Sequence, residues 1–351
     1  MKRLIVCADG TWNIRDQVNE KTHTRRPTNV TKLARAVLPT DPHGIPQVVI
    51  YLEGVGTGPG MDKLTGGAFG SGIEDNIVSL YRSIIYNYSP GDEIYLFGFS
   101  RGAFTVRSLA GFMKLAGFLE KDDDYYTPDF YACYEAGRGP GTPEWTKANH
   151  NVRDRRLCPE ITMIGVWDTV GSLGAPGVLG QVFSRKKYQY HKVDLFPEIR
   201  NAFHALAIDE KRKPFAPTLW EAPPGWGGNL EQAWFAGVHC GVGGGYPTDG
   251  LANAALRWIL GEAAHLGVAF DTRYLDPFKE YHQAILYESM DLKYKALGAI
   301  TRQLDASPAL HESIHESALK RIEDPELGYR PPNALAYLAS GTPRITKTRA
   351  L

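Results

Sequence analysis

The sequence predicts an α/β fold with a mostly parallel central sheet flanked by helices. Three observations carry this: continuous apolar runs of strand length, helix-period segments between them, and glycine or aspartate turns where the runs end. A strand covered on both faces has no polar side, so it reads as an unbroken apolar run rather than an alternation. Residues 4–8 are such a run, ended by Asp9-Gly10-Thr11. Residues 48–52 form the second, ended by Gly54, and a glycine-rich stretch read as a loop continues to Gly72. Ile73, Ile77, Leu80, Ile84 and Tyr88 then recur at helical steps until Pro90-Gly91-Asp92 stops the pattern. Residues 94–99 are the third strand, and Ala103, Val106, Ala110 and Met113 outline a helix that Gly117 can close.

The segment from about 120 to 160 breaks the rhythm with Asp, Tyr, Gly and Pro, as a lid-like insertion over the carboxyl edge of the sheet would. Residues 161–167 resume the strand pattern and run into Asp168-Thr169-Val170-Gly171. A second insertion, about 172–232, leads to an apolar run ending at His239, with Gly243-Gly244-Gly245 behind it and a helix from Leu251 to about His265. The tail, about 271–351, reads as partly helical, and residues 1–351 read as one domain. Tyr125, Tyr126, Tyr131, Trp220 and Trp226 in the insertions are candidates to line an acyl pocket; packing the insertions onto the sheet is their alternative role.

Composition narrows the partners. Lys+Arg and Asp+Glu both number 39, so no net field draws the chain towards nucleic acid or an anionic membrane. The four cysteines are scattered, without metal or redox spacing, and read as reduced structural thiols. The apolar run after Met1-Lys2-Arg3 stops at Asp9, too short for a signal peptide. No apolar stretch reaches membrane-spanning length. A chain made in the cytoplasm is expected, with export only by a specialised route.

The chemistry concentrates at the ends of the apolar runs. A serine hydroxyl is a poor nucleophile unless a turn exposes it to a base and to backbone donors. Gly98-Phe99-Ser100-Arg101-Gly102 supplies that turn between a strand and a helix, with small residues two before and two after the serine. The same residues also suit a plain strand–helix connection capped by a serine. His239 is the best base among ten histidines, and Asp168 the best orienting acid. The order Ser100, Asp168, His239 is that of nucleophile, acid and base in hydrolases with this turn. Asp209 is the reserve acid and His315 the reserve base. The loop Asp9-Gly10-Thr11-Trp12-Asn13 offers backbone donors from Gly10 and Thr11 for half of an oxyanion hole, with the N–H of Arg101 as the other half. Asp9 supports that loop, if only through an Asx turn.

Other chemistries fit less well. An aspartate-nucleophile phosphatase needs an aspartate where Cys7 stands, and the 54–60 glycines lack the Lys-Ser/Thr ending of a phosphate loop. Asp9, Asp168 and His239 around a metal would make a phosphoester hydrolase, without the usual paired-histidine spacing. A degenerate fold serving as a binding module is the non-enzymatic alternative. No cofactor is expected.

The chain resembles the α/β-hydrolase domain family that includes the catalytic domain of type VI secretion phospholipase effectors. The resemblance runs through residues 6–13, Gly54-Val55-Gly56-Thr57, residues 91–104, residues 166–171, the 204–210 run His-Ala-Leu-Ala-Ile-Asp-Glu, and residues 234–239. It implies an α/β-hydrolase fold, Ser100 attacking, His239 as base, Asp168 as acid, and ester substrates that in effectors are glycerophospholipids met at a membrane surface. One position departs: the family usually carries an aspartate two residues after the histidine, where this chain has Gly241.

Overall fold

The structure is a computed structural model that describes residues 1–351 except 12, 19–22, 55–67, 151, 153–154, 157, 172–193 and 306. In chain order the first half contains β1 (Arg3–Ala8), α1 (Asn29–Ala36), β2 (Gln47–Leu52), α2 (Ala68–Asn87), β3 (Glu93–Phe99) and α3 (Arg101–Ala116). A small hairpin-like pair, β4 (Phe118–Leu119) and β5 (Arg155–Arg156), brackets α4 (Thr127–Glu135) and α5 (Pro143–Asn149). Then follow β6 (Met163–Trp167), β7 (Asn201–Ala207), β8 (Asn229–Phe235), α6 (His239–Gly243), α7 (Gly250–His265), α8 (Thr272–Leu275) and α9 (Leu292–Leu297). The chain ends with β9 (Glu312–His315), α10 (Glu316–Glu323), α11 (Pro332–Leu338) and β10 (Ile345–Thr346).

The described residues form an eight-stranded sheet in the order β10-β9-β8-β7-β6-β3-β1-β2, and each of its strand pairs is parallel. The expected α/β-hydrolase-like architecture is therefore present. The chain goes from β1 to β2 on one side and then returns to β3 on the other. Such a reversal, here at the carboxyl ends of β1 and β3, is where α/β sheets bind their ligands. Register puts Ala8 opposite Gly98, and Gly98 opposite Val166, so Asp9, Ser100 and Asp168 leave the same edge of the sheet.

The apolar runs have the cause the sequence implied: alternate residues feed two cores. Leu4, Val6, Ile94 and Leu96 enter one layer with α2 and α3, while Ile5, Cys7, Tyr95 and Phe97 enter the other with α1 and α7. β2 reads like β1 but lies at the edge, so most of it is only half-buried although both its faces are covered.

Several expectations need correction. Helix α2 begins at Ala68, so the last residues of the glycine-rich stretch are helical, while 55–67 lie outside the described residues. Helix α1 escapes a reading of apolar periods because Asn29, Thr31 and Lys32 belong to its buried face. Within the 120–160 segment, Tyr131 and Tyr134 pack on Phe112, about three turns along α3 from Ser100. Tyr131 and Trp220 are buried in the core and Tyr126 and Trp226 pack against it, whereas Tyr125 is exposed. These aromatics hold the added segments to the sheet, and 172–232 is not an insertion throughout, because it contains β7 and the start of β8, which pair inside the central sheet. The tail adds β9 and β10 to the sheet, and α10 and α11 close a third core over Leu206, Trp234 and Ile314.

Candidate active site

Ser100 sits between β3 and α3 with φ 57° and ψ −122°, a left-handed conformation that costs a non-glycine residue about 1–3 kcal/mol. Its N–H donates to the Trp167 carbonyl (3.0 Å), which ties the strained turn to β6. Two glycines make the turn possible. A Cβ at Gly98 would lie 2.5 Å from the Gly102 carbonyl oxygen, and one at Gly102 would lie 2.2 Å from that of Ala8.

Asp168, at the end of β6, also has a positive φ, 42°. Its N–H donates to the Ala205 carbonyl (2.7 Å), and the next N–H, of Thr169, donates to His204 Nε2 (3.0 Å). The other ring nitrogen of His204 faces Gln232 Oε1 at 3.3 Å, so the ring acts as a neutral acceptor at Nε2 and a donor at Nδ1. Burial, reinforced by the Arg107 charge, takes its pKa down to about 3, so it stays neutral.

His239 begins α6 directly after the β8 run. The glycine-rich sequence around it forms one helical turn, and Gly244 closes that turn with φ 84°. Its Nδ1–H donates to Asp168 Oδ2 at 2.6 Å, and Ser100 Oγ lies 2.8 Å from Nε2. Phe99 and Phe215 flank the imidazole at centroid distances of 4.7 and 5.0 Å. Ser100, Asp168 and His239 are all buried. Burial holds His239 below the ordinary histidine value against the pull of Asp168, and Arg212 lowers it further. Asp168 is driven well below the carboxylate range, because Arg302 and His239 outweigh the cost of burying its charge.

Asp9 lies at the end of β1, enclosed by donors. Oδ1 accepts the Gly10 N–H (2.7 Å), and Oδ2 accepts hydroxyls of Thr28 (2.6 Å), Tyr51 (2.7 Å) and Thr31 (3.0 Å). Burial raises its carboxyl pKa against these four donors. The Gly10 N–H is thus engaged inside the loop and not offered to a substrate. A Cβ on Gly10 would nevertheless lie 3.3 Å from that of Ser100, so the loop abuts the serine. Trp12 lies outside the described residues. The oxygens of Asp9 and Asp168 are already satisfied by protein donors, which disfavours the metal arrangement. Among the described residues no three His, Cys, Asp or Glu side chains gather as a metal site.

The reserve residues go elsewhere. Asp209 accepts the Gly237 N–H and the Tyr329 hydroxyl. His315 stacks on Phe235 at 4.3 Å and bonds to Ser317 and Thr348.

Three further groups touch this cluster without having been singled out in the sequence. His204 fixes the Asp168 turn. Glu210 accepts the His239 N–H (3.2 Å) and is paired with Arg212, whose guanidinium stacks 3.5 Å from the Phe215 ring centre. His204 and Glu210 lie in the 204–210 run and Arg212 two residues after it, so that run was the available signal. Arg302 forks onto Asp168 from an irregular segment 134 residues away, and no local pattern announces it.

The family model of the T6SS phospholipase effector Tle1-like catalytic domain matches residues 2–262. The chain belongs to that family. It is also 25% identical over 244 residues to an uncharacterized protein of Saccharomyces cerevisiae, covering 64% of this chain and 33% of the yeast protein. A solved structure of an uncharacterized protein from Pseudomonas aeruginosa superposes with a TM-score of 0.50 at 16% identity, over 84% of this chain and 48% of that one. The Tle1 effector in complex with the VgrG spike of the type VI secretion system gives 0.41 at 19% identity, over 70% and 51%. The chain thus spans about a third to a half of the length of these relatives. Membership supports hydrolase chemistry. Among the described residues no helix is long and apolar enough to cross a membrane.

Proposed function

We propose that this chain is a serine hydrolase that cleaves carboxylic esters, with acyl esters of lipids or phospholipids as its substrate class. The observation that carries the reading is the continuous relay from Ser100 Oγ to His239 Nε2 and from His239 Nδ1 to Asp168, at 2.8 and 2.6 Å. In this reading the neutral imidazole takes the Ser100 proton as Oγ attacks the ester carbonyl carbon. The tetrahedral intermediate collapses, His239 returns the proton to the departing alcohol, and the acyl group remains on Ser100. Water, deprotonated by His239, then releases the acid and restores the serine.

The developing oxyanion needs backbone donors. The Arg101 N–H at the start of α3 is one. The Thr11 N–H replaces Gly10 as the second, because Gly10 already serves Asp9. The Thr11 hydroxyl, buried and without a hydrogen-bond partner among the described residues, is a further donor in that loop. Contact with a lipid surface belongs to this substrate class, and a net charge of zero gives it no long-range electrostatic pull. Residues 1–351 act as one catalytic unit in this reading, with the tail part of it.

The test is covalent labelling by a fluorophosphonate, followed by a panel of p-nitrophenyl esters and phospholipid vesicles. Wild type should label and turn over at least the short esters, and Ser100→Ala should lose both. Equal labelling of Ser100→Ala would sink the assignment.

A further inference from the structure

We propose that Arg302 is a positioning residue of this site: its guanidinium joins the Asp168 carboxylate to the Phe215 backbone and so fixes where the His239 imidazole lies. The inference rests on the Ser100–His239–Asp168 reading and adds a component from outside the family match, which ends at residue 262.

The geometry is that of a built fork. Nη1 donates to Asp168 Oδ1 at 2.6 Å and Nη2 to Oδ2 at 3.0 Å, and neither side chain has any exposed surface. The same two nitrogens reach outward to the carbonyls of Ala207 (2.9 Å) and Phe215 (2.6 Å). Four donor contacts therefore converge from one rigid plane, an arrangement that a lysine cannot reproduce. The Ala207 N–H completes the set on Oδ1 at 3.1 Å. With two acceptor contacts on Oδ1 and two on Oδ2, the carboxylate cannot turn about its own axis, so the oxygen facing His239 Nδ1 is fixed.

The second arm matters as much. Phe215, held by Nη2 through its carbonyl, sets its ring edge-to-face on His239. One guanidinium thus positions the acid at one side of the imidazole and an aromatic wall at another. Its own carbonyl accepts from Asn333 Nδ2, which also donates to Ile208 beyond β7, so the irregular segment is tied to the sheet. A cation needed only to neutralise a buried aspartate would require none of the Phe215 geometry.

The charge has a further consequence. The charged groups acting on His239 are Asp168 and the Glu210–Arg212 pair. Removing the guanidinium leaves the Asp168 charge without its buried counter-charge, so it acts more strongly on the imidazole and favours the protonated ring. It also weakens the hold on the ionised carboxylate. Both effects move the acid limb of activity to higher pH.

The experiment measures kcat and KM for a p-nitrophenyl ester against pH, with thermal midpoints, for wild type, Arg302→Lys, Arg302→Gln, Asp168→Asn and the Asp168→Asn/Arg302→Gln double variant. Arg302→Gln should lower kcat about tenfold or more with KM little changed and raise the acid limb by about one pH unit. Arg302→Lys, which keeps the charge and serves if the glutamine variant does not fold, should lose about tenfold in kcat with the limb in place. In the Asp168→Asn background Arg302→Gln should cost less than about threefold, because its route to the histidine is already cut. Wild-type kcat in Arg302→Lys, or a full additional loss in the double variant, would overturn the proposal. Full activity in Asp168→Asn would instead overturn the Asp168 assignment, and this inference with it.

Discussion

At the scale of single residues, the protonation state of His239 sets the pH range of the proposed reaction. The imidazole must be neutral to accept the Ser100 proton. Burial lowers its pKa from the ordinary 6.5, Asp168 and Glu210 oppose that, and Arg212 adds to it, with a net shift downward. Activity carried by neutral His239 is therefore kept as the pH drops below 6.5 and is lost only at a lower midpoint. kcat/KM between pH 4.5 and 8 should show its acid limb below 6.5; a limb above 7 would contradict this balance. The three residues were legible because each ends an apolar run, and a parallel sheet sends all such ends to one edge. Gly10 was misread as a donor because the sequence shows its N–H but not the Asp9 oxygen that occupies it. Gly241, where the resemblance led to an expectation of aspartate, is buried in α6. A Cβ there would meet only Val238 at 3.9 Å, so the position has room for a side chain at its first atom.

At the scale of elements, strands with an unbroken apolar run were readable, whereas β7, which His204 interrupts and which fell inside the segment read as an insertion, and the short strands of the tail were not. β9 has only four residues, one of them Glu312, and it borrows its burial from β8 and α10 rather than from its own pattern. Glu312 shows the cost. Its Oε2 accepts the Trp234 indole N–H and the Asp305 N–H, while Oε1 is buried without a partner among the described residues. Burial pushes its carboxyl from 4.5 up to about 7. The folded chain thus binds this proton more tightly than the unfolded chain does. Its contribution is fully present below pH 4.5 and is lost as the pH rises through 7. Glu312→Gln, which keeps an acceptor for Trp234 and Asp305 without the charge, should stabilise the protein at pH 8 by about 1–3 kcal/mol. At pH 4.5 it should change little. Thermal midpoints at the two pH values check this, and an equal gain at both would point to packing instead of ionisation.

At the scale of the whole molecule, the question is whether residues 2–262 are enough. The first two cores are complete without residues beyond Lys279, and they hold Ser100, Asp168 and His239 at their strand ends. The third core is different: Leu206, Ile208, Trp234 and Ala236 from the sheet are buried by Ile314, Ala318, Ile322 and Tyr337 from the tail. Exposing the three large side chains of that sheet face forfeits about 1.5–3 kcal/mol each, a sum comparable with the entire stability of an ordinary domain, about 5–15 kcal/mol. Truncation also bares the edge of β8, which pairs with β9 in the whole chain, and an open apolar edge invites association. It removes Arg302 as well, leaving Asp168 without its buried cation. A chain ending after Lys279 should therefore associate or lose its cooperative thermal transition, and should fail to label with a fluorophosphonate. Size-exclusion chromatography, a thermal melt and the labelling assay read these outcomes separately. A monomeric truncated chain that labels at the wild-type rate would show that the tail is dispensable, against the joint demand that the third core and Arg302 place on it.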